Sequence, residues 1–182
     1  MDIFHAHYEY LKNEAEILLK LALNLDPEAI VRFHRLEQFS ALTAVETTAV
    51  EELQLKNALH VIAIENGYAS WNELKTALDS AAETSPFAVI NDQFYPKGFT
   101  TYWNIWFAKY SQAKKVLQDG GGFLLPFKNQ YFIVEEHFVD SIGLPHTLPE
   151  WKSIGNDWVH PKHAKAWLKL NAMYEDAVKA RR

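Results

Sequence analysis

Apolar side chains recur at every third or fourth position through the first part of the chain. Between Ile3 and Leu23 this spacing predicts an amphipathic helix with one apolar stripe, which contains Leu11, Ala15, Leu18, Leu19 and Ala22. Asp26 and Pro27 follow, and these residue types are favoured at the N-cap and at the first position of a helix. The pattern therefore predicts two consecutive helices at the start of the chain.

Two further helices are predicted before the periodicity lapses. The third runs from Thr48 to Gly67, which stops it because glycine readily adopts the left-handed conformation at a helix end. The fourth opens at Ser70, which has capping-box spacing with Glu73, so that each side chain can satisfy a backbone amide near the other. Over residues 83–98 the pattern lapses through ETSP and YPKG, and this segment is predicted to be a connection.

A run rich in aromatic residues, TTYWNIWFAKYSQAKKVLQDGGG, occupies residues 100–122. We interpret it as one helix, because Trp103, Trp106 and Tyr110 fall on one helical face and the run ends in glycines. Apolar side chains also cover much of the remaining circumference, which is typical of a helix buried on more than one side.

Two short β-like runs follow this segment, FLLPF and QYFIVE, with Lys128 and Asn129 between them. They predict a two-stranded hairpin, in which Pro126 marks an edge or bulged strand because proline cannot donate a hydrogen bond to a neighbouring strand. A short helix is predicted at EHFVDSIGLP, and the last helix is predicted to begin near Pro161.

The predicted fold is therefore mainly α, with an α+β second part. Residues 1–82 are predicted to form a helical bundle, and residues 83–98 are the connection. Residues 99–182 are predicted to form an α+β subdomain, in which helices accompany a small two-stranded β-hairpin. The sequence leaves open whether the two parts share one core.

Composition narrows the class of protein. The chain has 182 residues, of which 48% are hydrophobic, and this is the composition of a soluble globular protein. It has no cysteine, which excludes disulfides, thiolate catalysis and cysteine-ligated zinc. No apolar run approaches the length of a membrane span, and the opening MDIFHAHYEY lacks the pattern of a secretory signal, so we expect a cytoplasmic location without membrane association.

The corner between the third and fourth helices has the small residue, Ala63, and the turn glycine, Gly67, of a helix-turn-helix. Its second helix, however, would present Lys75 beside Glu73 and Asp79, and the whole chain has a net charge of −5. Acidic side chains repel phosphates, so the attraction that supplies most non-specific affinity for DNA is missing. Nucleic-acid binding is therefore the weakest of the three functional hypotheses.

The segments ILLKLALNLDPEAIVRFHRL and LKNALHVIAIENGYASWNELKTAL carry a resemblance to a known module. Their corner, Gly67-Tyr68-Ala69-Ser70-Trp71, resembles the Gly–aromatic–x–Ser–Trp corner of a helical module at the front of bacterial proteins, some of which carry ankyrin-type repeats. GGFLLPFKNQYFIVEE and WKSIGNDWVHP are similar to stretches of bacterial proteins without an assigned function. The resemblance implies a bacterial origin and a structural role for the corner, and it implies no catalytic residue.

Acidic and histidine side chains near the end of the chain suggest an acid–base or metal site. Imidazoles and carboxylates are common ligands of divalent metals, and members of the set lie one turn apart in the predicted last helix. The set consists of Glu135, Glu136, His137, Asp157, His160 and His163. No metal-binding motif of known spacing occurs among them, so an enzyme or a metal protein is the alternative hypothesis, and no cofactor is expected.

The aromatic residues of the second half have two interpretations. Most are expected to form the core, because large rings dominate the burial of apolar surface. Some can instead line a pocket or an exposed patch, since Trp and Tyr dominate binding sites, and the predicted contacts are Trp103, Trp106, Tyr110, Tyr131 and Trp158. The favoured hypothesis is a bacterial binding protein without catalysis, whose partner is a protein or a small-molecule ligand.

Overall fold

The computed structural model of the chain describes residues 3–43, 47–84, 94 and 102–181. The chain divides into two compact units, residues 1–82 and residues 83–182. The prediction of a mainly α fold with a small sheet is confirmed. The predicted connection over residues 83–98 lies almost entirely outside the described residues. Of the helices in the described ranges, none is both long enough and apolar enough to cross a membrane.

The first unit is helical throughout its described part. Its α-helices are α1 (Ile3–Leu23), α2 (Pro27–Phe33), α3 (Thr47–Glu51), α4 (Leu55–Glu65) and α5 (Trp71–Thr84). The apolar stripe of α1 packs against α2 and α4. Its central residues are at most 4% exposed, as expected for a stripe that faces a core: Leu11, Ala15, Leu18 and Ala22.

Side-chain caps determine where two of these helices begin. The Asp26 carboxylate accepts a hydrogen bond from the backbone amide of Ala29 at 2.9 Å, at the start of α2. At the start of α5, Ser70 Oγ accepts a hydrogen bond from the Glu73 amide at 3.2 Å, and the Glu73 carboxylate accepts one from the Ala69 amide at 3.0 Å. Both predicted helix starts are confirmed.

The third predicted helix is two helices. α3 ends at Glu51 and α4 begins at Leu55. Between them Gln54 is the N-cap of α4, and the Asn57 side chain accepts a hydrogen bond from the Gln54 amide at 2.9 Å. The prediction of one continuous helix is wrong, because this polar pair satisfies the free amides of a new helix inside an otherwise apolar pattern.

The second unit combines short strands with helices. Its elements are β1 (Asn104–Phe107), α6 (Tyr110–Gly120), β2 (Phe123–Phe127), β3 (Gln130–Val134), α7 (Glu136–Ser141), α8 (Pro149–Ser153) and α9 (Ala164–Ala180). The strands form one antiparallel sheet in the order β1-β3-β2. The predicted hairpin of β2 and β3 is present, but the sheet has three strands rather than two in the described part of the chain.

The helix predicted over residues 100–122 is wrong in its first part. β1 occupies that part and pairs with β3, so that Asn104 lies opposite Val134 and Phe107 lies opposite Tyr131. α6 begins only after this strand. A short apolar run fits a strand as well as a buried helix, and aromatic and β-branched side chains suit the pleated surface that β3 offers.

The two faces of the sheet are covered differently. On one face, α6 and the sheet form a buried cluster of Ala113, Leu117, Leu124 and Ile133. The opposite face packs rings against the following helices, with 5.7 Å between the centroids of Phe132 and Phe138 and 4.9 Å between those of Phe123 and Trp151. Each strand therefore contributes apolar side chains to both layers, which is why its sequence is almost continuously apolar.

β2 is an edge strand, as its proline predicted. Its outer side is occupied by the chain after α8, because the Leu124 amide donates to the Asn156 carbonyl at 2.8 Å and the Trp158 amide donates to the Leu124 carbonyl at 2.9 Å. This contact brings residues 156–158 against the sheet.

Gly122 allows β2 to start close to β3. Its backbone has φ +95°, and a Cβ atom there would lie 2.8 Å from Ile133 Cγ2 and 2.9 Å from the Val134 carbonyl oxygen. Both the backbone conformation and the close approach require glycine. At Gly120, in the last turn of α6, a Cβ atom would meet no atom within 4 Å.

Candidate functional site

The aromatic residues predicted as contacts fall into different environments. Trp103 is 58% exposed and Trp106 is 37% exposed, whereas Trp158 is only 1% exposed. The Trp158 ring packs at 4.8 Å from Phe94 and at 5.6 Å from Trp151, measured between ring centroids. The Trp158 ring is therefore part of the core, which argues against its prediction as a contact in a pocket or an exposed patch.

Trp106 is exposed on one side and held firmly on the other. Its ring stacks on Phe132, with a centroid distance of 4.8 Å and an angle of 16° between the planes, and meets Phe127 edge-on at 5.3 Å. The indole N–H donates to Asn104 Oδ1 at 2.6 Å, and the Asn104 amide donates to the Tyr102 carbonyl at 3.0 Å. These contacts fix the orientation of the indole.

The exposed tryptophans lie at the outer strand of the sheet. Among the described residues β1 pairs with β3. Trp103 and Trp106 are three residues apart, which places their Cα atoms within about 11 Å of each other. We call Trp103, Trp106 and the Phe127 ring that Trp106 contacts the aromatic edge.

Lysine side chains lie close to the aromatic edge in space or in sequence. Lys128 Nζ lies 5.3 Å from the centroid of the Phe127 ring, which is a cation–π geometry. Lys109 lies two residues after β1 and takes part in none of the ion pairs among the described residues. This end of β1 therefore combines exposed rings with positive charge.

Tyr110 and Tyr131 belong to the margin of the core under α6. Their rings meet edge-on at 5.8 Å, and both are partly buried against the cluster beneath α6. The Tyr110 hydroxyl donates to Asp157 Oδ2 at 2.6 Å. Tyr110 thus has a structural partner inside the protein, which weakens its prediction as a contact.

Asp157 is fully buried and is the centre of a hydrogen-bond network. Its Oδ2 also accepts from Lys114 Nζ at 2.8 Å, and its Oδ1 accepts from the backbone amides of Val159 and His160 at 3.0 Å each. All four donors come from this unit, so the carboxylate ties the chain after α8 to α6. This arrangement satisfies a buried charge in the way that a stable fold requires.

The two histidines of the predicted metal set have separate environments. His163 is the N-cap of α9, and its Nδ1 accepts a hydrogen bond from the Ala166 amide at 3.1 Å. His160 precedes that helix and lies edge-on to the Tyr110 ring at 4.4 Å, so the prediction that both lie in the last helix is wrong. Burial lowers the pKa of His160 and of His163, which keeps both rings neutral at neutral pH.

The remaining members of that set lie elsewhere. Glu135, Glu136 and His137 line a pocket of about 370 Å³ together with Gly122 and Phe123, at the start of α7. Within the described ranges, no three histidine or carboxylate side chains are grouped so that they could hold a metal ion. The six predicted residues are therefore not gathered around one centre.

One polar pair near this pocket was missed by the sequence analysis. His146 Nδ1 lies 2.9 Å from Asp140 Oδ2, and the His146 amide donates to Asp140 Oδ1 at 2.7 Å. Both bonds lower the pKa of Asp140, and the bond from the His146 backbone amide has the larger effect. His146 Nε2 lies 3.9 Å from Glu136 Oε2. An aspartate six residues before a histidine, with a glycine turn between them, is the only local signal for this pair.

The corner between α4 and α5 has the glycine turn that the sequence predicted, with φ +86° at Gly67. The Glu65 carboxylate next to it binds the Arg32 guanidinium through two bonds of 3.0 and 2.6 Å and lies 3.4 Å from Arg35. The hydrogen bond to Glu65 raises the pKa of Arg32. The arginines closest to the corner are therefore paired with this acid, which gives the corner little positive charge for phosphates.

Comparison of the chain with protein-family models, with curated proteins and with solved structures gives no match, so the resemblance of the Gly67–Trp71 corner to a bacterial helical module stays a prediction.

Proposed function

We propose that this chain is a non-catalytic binding protein of the bacterial cytoplasm, whose second unit recognises a protein partner through the aromatic edge. The observation that carries the proposal is the exposure of Trp103 and Trp106, at 58% and 37%, in a unit that buries its other three tryptophans to 1% or less. The unit buries its other tryptophan rings almost completely, yet it leaves these two exposed in and just before β1.

The exposed area is large enough to matter for binding. A large aromatic side chain buries 150–250 Å², so covering the exposed parts of Trp103 and Trp106 would remove roughly 200 Å² from water. At about 25 cal/mol per Å² this corresponds to about 5 kcal/mol before the entropic costs of association. Residues of this kind dominate the energetics of protein interfaces.

The fixed orientation of Trp106 lowers the cost of binding. Its ring is already stacked on Phe132, and its N–H is already bonded to Asn104. Binding a partner through this ring would therefore cost little side-chain entropy, which is the property of a preorganised binding residue.

The alternative of acid–base or metal chemistry has less support. Asp157 and His163 have structural partners, and the acidic pocket near α7 contains neither of them. Metal analysis of the purified protein tests this alternative. Bound metal that is lost in a His160→Ala/His163→Ala variant would favour it over the binding proposal.

The binding proposal is tested by comparing captured proteins. A Trp103→Ser/Trp106→Ser variant removes the exposed rings of the aromatic edge. A control variant, Ile17→Ser/Val31→Ser, removes exposed apolar side chains of similar exposure, 52% and 56%, from the first unit. The wild type and both variants are immobilised, and the proteins that each retains from a lysate of the source cells are quantified. A retained partner is then purified and titrated against the wild type, the tryptophan variant and the control.

We expect a purified partner to bind the wild type and the control equally and to bind the tryptophan variant at least about tenfold more weakly. Equal binding to all three proteins would refute the proposal, as would a loss of binding confined to the control variant. Circular dichroism of each variant establishes that the fold is retained.

A further inference from the structure

We propose that the protein segment recognised by the aromatic edge is bipolar, with a basic side chain at one end, an apolar centre and acidic side chains at the other end. This inference rests on the proposed function, because it names the chemistry of the partner that binds the same surface. It is carried by the charges that flank the exposed tryptophans, which have opposite signs at the two ends of the sheet.

One end of the sheet is basic. Here β1 ends opposite Tyr131, close to the turn between β2 and β3 that contains Lys128. The Phe127 ring contacts both the Lys128 ammonium and the Trp106 ring, each at 5.3 Å. Lys109 follows β1 by two residues and is exposed, as Lys128 is. We call Trp106, Lys109 and Lys128 the basic end.

The other end of the sheet is acidic. The last pair of β1 and β3 joins Asn104 to Val134, and the next residues along the two strands are Trp103 and Glu135. Glu135 and Glu136 also line the pocket of about 370 Å³ at the start of α7. A pocket of this size accepts a small group such as a side chain, and its carboxylates attract a cation. We call Trp103, Glu135 and Glu136 the acidic end.

The two ends lie far enough apart to act separately on a partner. The five residues of β3 span the distance between them, which is about 14–17 Å at about 3.4 Å per residue. The Debye length at physiological ionic strength is about 8 Å, so the acidic end does not cancel the lysines of the basic end. Asp119, the acidic residue of α6, lies in the last turn of that helix, which leads to β2 at the acidic end.

The centre of the aromatic edge is suited to an apolar side chain. The Trp106 ring stacks on Phe132, and its N–H donates to Asn104, so the exposed part of this residue offers mainly ring surface. Trp103 lies next to the carboxylates, where its exposed ring can hold a basic side chain by a cation–π contact. A segment with opposite charges on the two sides of an apolar residue therefore matches the whole surface.

A nucleic-acid strand matches this surface less well. Its phosphates would suit the lysines of the basic end, but a strand that continued over Trp103 would meet Glu135 and Glu136. A bipolar peptide meets an opposite charge at both ends, and like charges placed together are what excludes a wrong partner.

The experiment uses the full chain and synthetic peptides that share a phenylalanine centre. One set carries lysine on one side of the centre and glutamate on the other, and matched sets carry only lysine, only glutamate or only glutamine. The spacing from the centre is varied within each set, and affinities are measured by fluorescence anisotropy. We expect the best bipolar peptides to bind at least about tenfold more tightly than their glutamine matches at about 0.15 M salt, and this ratio should shrink at about 1 M salt.

Exchanging the charges of one end at a time should change the preferred peptide. Lys109→Glu/Lys128→Glu makes both ends acidic, so the variant should prefer the peptides that carry only lysine. Glu135→Lys/Glu136→Lys makes both ends basic and should shift the preference to the peptides that carry only glutamate. Each exchange should weaken binding of the bipolar peptides by about tenfold or more.

The matched control changes the same net charge outside the sheet. Lys152→Glu/Lys165→Glu replaces exposed lysines of α8 and α9 in the same unit, and this variant should keep the preference of the wild type for bipolar peptides. Circular dichroism of each variant establishes that the fold is retained.

Failure of this inference can be told apart from failure of the proposed function. Bipolar peptides that bind no more tightly than their glutamine matches, or a preference that both exchanges leave unchanged, overturn the inference, as does peptide binding that Trp103→Ser/Trp106→Ser leaves intact. Tighter binding of an oligothymidylate, or a dimer of the chain that requires both tryptophans, would replace the bipolar segment by a nucleic acid or by a second copy.

The partner captured from a lysate decides the proposed function separately. If the inference falls and a purified partner still requires Trp103 and Trp106, the proposed function holds with a partner of different chemistry. If no partner requires these tryptophans, both proposals fall.

Discussion

Replacing Asp157 by alanine is expected to destabilise the second unit strongly. The Asp157 carboxylate has no exposure to solvent and accepts hydrogen bonds from Tyr110, Lys114 and the amides of Val159 and His160. Alanine would remove the acceptor that these four donors share. The loop after α8 would also lose its connection to α6, which is formed by residues 43 and 47 positions apart in sequence.

The size of the effect follows from which donors can find another partner. Lys114 has a side chain that is 23% exposed, so its ammonium can turn to water. The two backbone amides cannot move so easily, and an unsatisfied buried donor costs about 1–3 kcal/mol. The Tyr110 hydroxyl also loses its bond to Asp157. In total we expect the free energy of unfolding to fall by about 3–5 kcal/mol.

The measurement is urea unfolding followed by tryptophan fluorescence. Five of the six tryptophans belong to the second unit, so this signal reports mainly on that unit. With a slope of about 1–3 kcal/mol per molar urea, the transition midpoint should fall by about 1 M or more. Asp157→Asn keeps one oxygen for the amides and is expected to lose about half as much. A loss below about 1 kcal/mol for Asp157→Ala would refute the view that this carboxylate holds the loop.

Three further outcomes are expected. His163→Asn keeps a capping side chain but does not titrate. Burial lowers the pKa of His163 in the folded state, so the contribution of the wild-type residue to stability is complete above the unfolded pKa of about 6.5 and is lost as the pH falls through the folded pKa. The urea midpoint of the variant should therefore fall less than that of the wild type between about pH 7 and about pH 5. Gly122→Ala should lower the stability measured by thermal unfolding by about 2 kcal/mol or more, since φ at this position is +95° and the added Cβ atom would collide with β3. The control Gly120→Ala should be neutral or stabilising in the same measurement. Glu65→Gln should lower the free energy of unfolding by about 1 kcal/mol, because it removes the charge that pairs with Arg32. This ion pair is partly exposed, so the loss should shrink at high salt, and a loss that is independent of salt would contradict the prediction.

The helices of the first unit could largely be predicted from sequence because their signals are local. Asp26 lies three residues before the amide that it caps, and Ser70 lies three residues before Glu73. Such pairs form from neighbouring residues whatever the rest of the chain does. The break before Leu55 was missed because Gln54 and Asn57 are polar residues that a continuous helix also tolerates on its surface.

The strand β1 could not be predicted for the opposite reason. Its residues satisfy helical and strand periodicity about equally, and the pairing that decides between them joins Asn104 to Val134, thirty positions away. Once β1 is a strand, Trp106 moves from a helical face to a sheet edge. The aromatic edge therefore exists only as a product of long-range pairing.

The amino-acid sequence by itself determined the helical character of the chain, the starts of α2 and α5 and the presence of a small sheet, because caps and periodicity act between near neighbours. The tertiary structure decided which aromatic residues are buried, with Trp158 in the core and Trp103 at the surface. It also decided that Asp157 serves the fold, since its Tyr110 and Lys114 partners come from a distant helix. Burial and partner choice depend on residues far apart in sequence, and no local pattern encodes them.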